Sequence, residues 1–347
     1  MSPGPYLAAQ ASSVWAGRQM LVWGTPPGSC GTPPTGHTQC EMGGRYDPST
    51  DQWTAMAPAP GSGNVNTAAI WTGREMIVWS GESGSGGLAL GGVAYDAGLD
   101  RWRVLSTESA PSSRRDYVLG WTGSQMLVWG GLGLTAAGQL AGFGDGATYD
   151  PQSDRWTPMS TVNAPSARTA AMGVWTGKHL LIWGGLDGTK PFARAVLRDG
   201  ARYDPVGDAW QSMSSIGAPE GRSSAAAAWT GTELLLFGGA GGDGHFRNDG
   251  AAYNPESDTW RTIAAAPDPA PDGASSAWTG SELLVWGPSP GARYNPAKNT
   301  WSLMRTEGQP SDNRGANVTV WTGSELIIWG GSLGVNKDLN DGARYAP

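Results

Sequence analysis

The sequence is poor in the residues that most enzymes and metal sites use, with two cysteines and three histidines among 347 residues. The histidines, His37, His179 and His245, do not have the spacing of metal ligands. No nucleophile elbow, phosphate-binding glycine loop or Cys–His arrangement is present. These absences exclude the commonest motifs for metal, phosphate and nucleophilic chemistry, and we expect no metal and no cofactor.

Charge is also scarce, because only 15% of the residues are Asp, Glu, Lys or Arg, and the net charge is −7. An acidic chain is a poor partner for nucleic acid or an anionic membrane surface. No apolar run approaches the ~18 residues of a membrane helix. The first ten residues lack the features of a signal peptide. The sequence therefore predicts no nucleic-acid partner and no membrane span.

The two cysteines, Cys30 and Cys40, lie in one Gly/Pro-rich loop. A disulfide between them would stabilise the chain by ~3 kcal/mol on the chain-entropy model and would place it in an oxidising compartment. The alternative is two free thiols in a cytosolic protein. We expect the disulfide, and with it a secreted or periplasmic protein whose signal sequence lies outside this chain.

What the sequence has in abundance is glycine (54 residues) and tryptophan (19 residues), and they recur in a repeat. A W-(T/A)-G unit begins at Trp15, Trp71, Trp121, Trp175, Trp229, Trp278 and Trp321. A second aromatic follows at Trp23, Trp79, Trp129, Trp183, Phe237, Trp286 and Trp329. A tyrosine comes next, at Tyr46, Tyr95, Tyr149, Tyr203, Tyr253, Tyr294 and Tyr345. Six repeats end on a further tryptophan, at Trp53, Trp102, Trp156, Trp210, Trp260 and Trp301.

Each repeat reads as four short strands, A to D, separated by Gly, Pro and Asp turns. In the fourth repeat these are TAAMGVW, HLLIWGG, GARYDP and AWQSM. One such sheet cannot bury both of its faces, whereas a ring of sheets can. The sequence therefore predicts an all-β, single seven-bladed β-propeller of four-stranded antiparallel blades, with the repeat tryptophans packed blade against blade.

The pattern resembles the Kelch-repeat β-propeller family in three features: a Gly-Gly doublet after strand B, a Tyr-Asp/Asn-Pro sequence and the spaced tryptophan. The doublets are Gly130-Gly131, Gly184-Gly185, Gly238-Gly239 and Gly330-Gly331. The resemblance covers essentially the whole chain and implies one domain, 1–347, with repeats at about 5–60, 61–110, 111–164, 165–218, 219–268, 269–309 and 310–347. It implies little about function, because Kelch propellers include both binding modules and enzymes.

The last repeat has strands A to C only, because no tryptophan follows Tyr345. Kelch propellers usually complete one blade from both termini, but residues 1–4 look too short for a strand D. We therefore expect a blade that is three-stranded, or that is completed by another segment or another chain, since an exposed strand edge readily pairs.

Five of the 32 aromatic residues lie outside the repeat positions. They are Tyr6, Tyr117, Phe143, Phe192 and Phe246. Because strand direction alternates, the B–C loops and the entries into strand A share one face, and all five map to it. That face also carries most of the length variation between repeats, which is where function on a rigid scaffold is expected.

Arginines precede strand A in four repeats, and an aspartate precedes the tyrosine in the same four. The pairs are Arg114 and Asp145, Arg168 and Asp199, Arg222 and Asp249, and Arg314 and Asp341. We interpret them as structural ion pairs. The alternative is a ring of arginines that binds anions.

The residues left over define a candidate ligand face. It comprises Tyr6, Asn66, Arg115, Tyr117, Phe143, Phe192, Arg194, Arg198, His245, Phe246 and Arg247. Arginines beside aromatics favour a small anionic ligand or an acidic peptide or protein with an apolar part. The leading hypothesis is a non-catalytic binding module. The alternatives are a metal-independent enzyme of sugar isomerase, lyase or cyclase type that uses Tyr117, Asp116 or Asp272, and an accessory domain of a larger protein.

Overall fold

The computed structural model describes residues 1–5, 7, 11–24, 43–60, 64–65, 67–79, 82–83, 91–190, 195–267, 275–287, 291–305, 314–334 and 337–347. These residues form 34 β-strands and no helix. Within them, no helix has the length and apolar character that crossing a membrane requires. The disulfide predicted between Cys30 and Cys40 lies outside the described residues.

The chain divides into two compact units. The first comprises 1–105, 288–290 and 305–347, and the second comprises 106–287 and 291–304. The first unit contains β1 (Ser12–Trp15), β2 (Met20–Trp23), β3 (Gly43–Asp47), β4 (Gln52–Ala55), β5 (Asn64–Val65), β6 (Ala68–Trp71), β7 (Glu75–Trp79), β8 (Glu82–Ser83), β9 (Gly92–Asp96) and β10 (Arg101–Val104). It also contains the last three strands, which are numbered after those of the second unit.

The second unit begins with strands from the third and fourth repeats: β11 (Arg114–Arg115), β12 (Val118–Trp121), β13 (Met126–Trp129), β14 (Leu132–Leu134), β15 (Leu140–Gly142), β16 (Gly146–Asp150), β17 (Arg155–Pro158), β18 (Arg168–Thr169), β19 (Met172–Trp175), β20 (Leu180–Trp183), β21 (Leu186–Asp187), β22 (Gly200–Asp204) and β23 (Ala209–Ser212). The fifth and sixth repeats add β24 (Ala226–Trp229), β25 (Leu234–Phe237), β26 (Gly250–Asn254), β27 (Thr259–Ile263), β28 (Ser275–Trp278), β29 (Leu283–Trp286), β30 (Ala292–Asn295) and β31 (Thr300–Leu303). The remaining strands, in the first unit, are β32 (Val318–Trp321), β33 (Leu326–Trp329) and β34 (Gly342–Tyr345).

The main sheets confirm the predicted all-β fold of antiparallel blades. Six described sheets have four strands in the order A-B-C-D, and one, β32-β33-β34, has three. Among the seven described sheets of this kind, strand B is buried at every position in six, and in the second Glu75 alone is half-buried. Both faces of strand B are covered: in the fourth blade Leu180 and Ile182 pack with residues of the third blade, and Leu181 and Trp183 pack with residues of the fifth. Burial on both faces accounts for the continuous apolar sequence of strand B.

The repeat tryptophans pack as the sequence predicts. The strand D tryptophan lies 4.8–5.1 Å, centroid to centroid, from the strand C tyrosine of its own blade. It also lies 4.1–5.7 Å from the strand B aromatic of an adjacent blade, as in the pairs Trp129–Trp210 and Trp183–Trp260. One aromatic ring therefore joins two blades at each of these positions.

The C–D turns tie the blades together with a second repeated contact. In the fourth blade the Tyr203 hydroxyl donates to Asp208 at 2.7 Å, and the backbone N–H of Ser160 donates to the same carboxylate oxygen at 2.8 Å. The Trp210 indole N–H then donates to the Ser160 carbonyl at 2.8 Å. Asp208 adopts φ +46°, a left-handed turn conformation that Asp tolerates. We call this arrangement, an Asp or Asn that joins its own tyrosine to the neighbouring blade, the turn clamp.

Candidate functional site

Strand A is interrupted where the sequence predicts one continuous strand. In the fourth repeat, TAAMGVW divides into β18 and β19, because Ala170 takes the left-handed φ of +51°. The same conformation occurs at Asp116, Ser224 and Ala316 in the third, fifth and seventh repeats. In the second compact unit these residues are linked through backbone hydrogen bonds, from Ala170 N–H to Asp116 at 2.9 Å and from Ser224 N–H to Ala170 at 3.0 Å. These links between blades balance the strain of non-glycine residues at positive φ.

The Gly-Gly doublets bend strand B at the same level. Gly184 and Gly185 have φ of +68° and +93°, and a Cβ on Gly185 would lie 2.7 Å from the Thr169 carbonyl oxygen. Only glycine combines this conformation with so close an approach. Beyond the bend, the chain forms a second, smaller layer over the third, fourth and fifth blades. We call it the loop layer: β11-β14-β15, β18-β21, and the isolated bridges Ser223–Ala240 and Ala240–Phe246.

Each predicted Arg–Asp pair is brought together at this bend. The shortest nitrogen–oxygen distances are 2.8 Å for Arg114–Asp145, 2.9 Å for Arg168–Asp199, 3.0 Å for Arg222–Asp249 and 2.7 Å for Arg314–Asp341. The arginine side chains are 0–1% exposed and the aspartates 51–58% exposed. The cations are therefore inside the protein, and only the carboxylates reach solvent.

The arginine also binds the bend itself. Arg168 donates to the Gly184 and Asp199 carbonyls at 3.1 Å each, and to the Ser166 carbonyl at 3.0 Å. Arg222 repeats this set with Gly238, Asp249 and Glu220. Burial would raise the pKa of Asp249, but the hydrogen bond and charge of Arg222 hold that pKa below its usual value. The guanidinium thus binds the Gly184 carbonyl at the bend, and it shares the Asp199 carbonyl with the N–H of Gly184.

The aromatics predicted for the ligand face differ in how much surface they offer. Phe143 is half-buried, and its ring lies over the Arg114 guanidinium at 4.2 Å from the ring centroid. Tyr117 is also half-buried. Phe246, by contrast, is 46% exposed although its backbone is held by the bridge to Ala240. Phe246 is therefore the described aromatic of this face best placed to contact a partner.

The charged residues predicted for this face also separate into two groups. Arg115 pairs with Asp116 at 3.0 Å, and Arg247 pairs with Asp243 at 3.2 Å and with Glu220 at 3.5 Å. Arg198 is exposed and has no ion pair with a described residue, and the His245 side chain is exposed beside Phe246. Among the described residues of this face, the positive charge available to a partner thus lies chiefly at Arg198, and His245 adds exposed ring nitrogens.

The structure tests only some of the remaining predicted site residues. Tyr6, Asn66, Phe192, Arg194 and Asp272 lie outside the described residues. Among the acid–base candidates that the structure describes, Asp116 forms an ion pair with Arg115. In the described part of the chain, no three His, Cys, Asp or Glu side chains cluster as a metal site would require.

Sequence reasoning missed the loop layer and the interruption of strand A. A signal for the bend beneath this layer was present: the four repeats with a Gly-Gly doublet are the four with an Arg and an Asp. No comparable signal marks the left-handed residue, which is Asp, Ala, Ser and Ala at the four positions.

Comparison with known proteins gives matches over most of the chain. The family model described as the KLHDC2/KLHL20/DRC7 Kelch-repeats domain matches residues 10–239 and 147–331. Kelch-like protein 25 of Xenopus tropicalis is 27% identical over 180 residues, which is 50% of this chain and 26% of that protein. The chain thus covers about a quarter of the length of this curated relative.

Proposed function

The chain belongs to the Kelch-repeat family of β-propellers, and from this premise we propose that it is a protein-binding module whose contact surface is the loop layer of the third to fifth repeats. Family membership supports the general statement. The position of the contact surface is supported by one observation above the others: Phe246 is held by backbone pairing yet almost half exposed. A rigid, exposed aromatic loses little conformational entropy when it binds, and aromatics are enriched at protein interfaces.

The proposed partner carries an apolar side chain with an acidic group nearby. Arg198 and His245 supply the donors for that group. The buried arginines do not, because their nitrogen atoms are used by the bend and by the paired aspartates. The half-exposed Asp145, Asp199 and Asp249 also face solvent at this level and would disfavour a partner with a broad negative surface.

The test compares two double variants that remove similar groups from opposite ends of the blades. Phe246→Ala with Arg198→Ala changes the loop layer. Val206→Ala with Lys178→Ala changes the exposed Val206, in a C–D turn, and the exposed Lys178, in an A–B turn. Proteins captured by the wild-type chain from extracts of its own source cells are quantified on each variant. We expect capture to fall at least tenfold on the loop-layer variant and to be unchanged on the control.

Both variants should unfold at the wild-type temperature, since all four side chains are at least partly exposed. Equal capture by the two variants would show that the loop layer is not the contact surface. The acidic preference is tested separately, by thermal unfolding with acidic peptides and with their amidated, neutral counterparts. A ligand present at 100 times its dissociation constant should stabilise the chain by about 2.7 kcal/mol. A shift that does not depend on the charge of the peptide would contradict the preference.

A further inference from the structure

The three most exposed large apolar side chains of the described structure lie beside strand D of the fourth blade. Val206, in the turn before β23, is 96% exposed, Ile216, in the linker after β23, is 85% exposed, and Val162 is 70% exposed. Val162 lies in the preceding linker, which the turn clamp fastens to this blade through the bond from Ser160 N–H to Asp208. Large aliphatic side chains that are exposed on one part of a surface often mark a contact region.

The backbone that carries these side chains is held in place on both sides of β23. Ser214 N–H donates to the Asp258 carboxylate of the next blade at 2.8 Å, and Ile216 N–H donates to the Ser214 hydroxyl at 3.3 Å. Before the strand, Val206 N–H donates to the Asp204 carboxylate at 2.9 Å. An exposed side chain on a fixed backbone needs little further ordering when it enters a contact.

β23 also has one edge without a partner. Among the residues that the structure describes, it pairs only with β22. The Met213 N–H donates to the Gly200 carbonyl at 3.0 Å, and such bonds alternate along an antiparallel pair, so Gln211 directs its backbone groups to β22 as Met213 does. Trp210 and Ser212 direct theirs away from β22, where no described residue binds them.

A second copy of the chain can pair with this edge about a two-fold axis. In the antiparallel register that uses both groups, Trp210 of each copy lies opposite Ser212 of the other, and each N–H donates to the facing carbonyl. Gln211 then faces Gln211 on the axis. Because Val206 lies five residues before Gln211 and Ile216 five residues after it, Val206 of one copy comes level with Ile216 of the other. The register that the backbone selects thus brings the exposed aliphatic side chains together.

The other strand D edges are less suited to pairing with themselves. The residue equivalent to Gln211 is Arg103 in the second blade and Arg261 in the fifth, and each arginine would face its own copy, a like-charge pair that disfavours association. The third blade has Pro158 in its strand D, and proline commonly protects an edge strand. Only the fourth repeat has large aliphatic residues at both of the positions that would face each other.

Charge also favours this part of the surface for a contact between copies. The net charge of −7 makes two copies repel each other, but residues 205–217 include a single charged residue, Asp208, whose carboxylate already accepts two hydrogen bonds in the turn clamp. Arg202 lies one strand further from the axis than Gln211. The two copies of Arg202 would therefore be three strand spacings, or about 14 Å, apart, beyond the range of unscreened repulsion.

We propose that the free edge of β23 pairs with the same edge of a second copy of the chain, in a symmetric dimer whose axis passes beside Gln211. A two-fold interface must be complementary to itself, and this edge meets that condition through its backbone groups and through the facing Val206 and Ile216. β23 is not part of the loop layer, so the proposal does not depend on the protein-binding function proposed above. Copies of the chain itself are counted separately from other proteins in the capture experiment.

Sedimentation velocity over a range of chain concentrations measures the dimer. The contact is at the small end of protein interfaces, so we expect a reversible equilibrium with a dissociation constant of roughly 10–100 µM. Val206→Glu places an unpaired charge opposite Ile216 of the other copy and should weaken the dimer by about tenfold or more. The control is Gln152→Glu, which puts the same charge at the equivalent turn position of the third blade and should leave the dissociation constant unchanged.

A double-mutant cycle tests the register. Ile216→Lys alone should weaken the dimer about as much as Val206→Glu does. The double variant Val206→Glu/Ile216→Lys should dimerise within about threefold of the wild-type chain, because each Glu then faces a Lys of the other copy. A double variant as weak as the single variants would show that the two positions do not face each other and would overturn the proposal. Both side chains are highly exposed, so all these variants should unfold at the wild-type temperature.

A cysteine on the axis tests the position of the contact. Facing residues of a non-hydrogen-bonded antiparallel pair have Cα atoms about 4.5 Å apart, within the range that a disulfide spans. Gln211→Cys should therefore form a covalent dimer under mild oxidation, whereas Thr157→Cys, at the equivalent position of the third blade, should not. A chain that stays monomeric at every concentration would overturn the proposal. So would a dimer that persists in Val206→Glu, because the copies would then meet through another surface.

Discussion

Four repeats, the third, fourth, fifth and seventh, carry a Gly-Gly doublet, a buried arginine and an aspartate, and three repeats carry none of these. We call the first set the bent repeats. In the three others, strand B is followed by Gly24-Thr25, Ser80-Gly81 and Gly287-Pro288. The comparison shows that the three features form one structural device. The doublet bends strand B, the arginine binds carbonyl groups at the bend from inside the protein, and the aspartate balances the arginine's charge.

The comparison also decides what the arginines do. A ring of arginines on a ligand face suggests an anion site when the sequence is considered alone. In the structure Arg168 and Arg222 are 0% exposed and make at least four hydrogen bonds each. An incoming anion would have to displace these bonds, and each bond lost from a buried group costs about 1–3 kcal/mol. The recurrence of arginine in the bent repeats therefore reflects the backbone geometry.

The largest effect we expect comes from removing one of these arginines. Arg168→Ala removes the guanidinium donor from the Gly184 and Ser166 carbonyls and one of the two donors to the Asp199 carbonyl, and it should destabilise the chain by about 3 kcal/mol. Arg168→Lys should recover little, because an ammonium group cannot reproduce the planar fork of donors. Denaturant unfolding of the three proteins measures both values.

Asp199→Ala extends this test to the pair. Alone, it leaves the buried Arg168 without its carboxylate and should cost about 2 kcal/mol, and the double variant should cost less than the two single values together. Additive costs would mean that Arg168 and Asp199 act independently. The loss of both residues together from three repeats would then need another explanation.

Glycine substitutions compare the bend with an ordinary turn. Gly185→Ala and Gly177→Ala both place a side chain at positive φ, +93° and +91°. At Gly177, in an A–B turn, the new Cβ has no atom within 4 Å, whereas at Gly185 it meets the Thr169 carbonyl oxygen at 2.7 Å. We expect costs of about 1 kcal/mol at Gly177 and about 2 kcal/mol or more at Gly185. Equal costs would show that the bend relaxes to admit a methyl group.

Much of the fold could be predicted because the repeat consists of residue types, such as tryptophan, tyrosine and glycine, that have few other structural roles at these spacings. A tyrosine seven residues before a tryptophan, with an Asp between them, specifies strand C, its turn and strand D, and the turn clamp shows why all three are needed. The Arg–Asp contacts could also be predicted, because the pair appears and disappears together across the repeats. Both predictions depended on comparing equivalent positions within one chain.

The candidate site was harder to predict because its properties depend on contacts rather than on residue types. Phe143 and Phe246 look alike in the sequence, yet the ring of Phe143 lies on Arg114 and that of Phe246 faces solvent. Arg198 and Arg247 also look alike, but only Arg247 has acidic partners in the described structure. Differences of this kind arise when loops fold over one another, and no periodic pattern reports them.

The smallest effect we expect concerns the turn clamp, which is found in bent and other repeats alike. The pKa of Asp100 is lowered, first by the hydrogen bond from the Tyr95 hydroxyl and then by the backbone N–H of Ala57. A carboxylate with a lowered pKa in the folded state stabilises the fold above its unfolded pKa, about 3.9. That contribution is lost as the pH falls through the folded value.

Asp100→Asn should keep both hydrogen bonds, because Asn299 accepts the equivalent pair from Tyr294 and Ala264 in the sixth repeat. It removes the charge and with it the dependence on pH. We therefore expect the variant to be about 1 kcal/mol less stable than the wild-type chain at pH 7. The difference should shrink as the pH falls from 5 to 3, measured by denaturant unfolding at each pH. A difference that stayed constant over this range would mean that the charge of Asp100 contributes nothing to the clamp and that its geometry alone joins the blades.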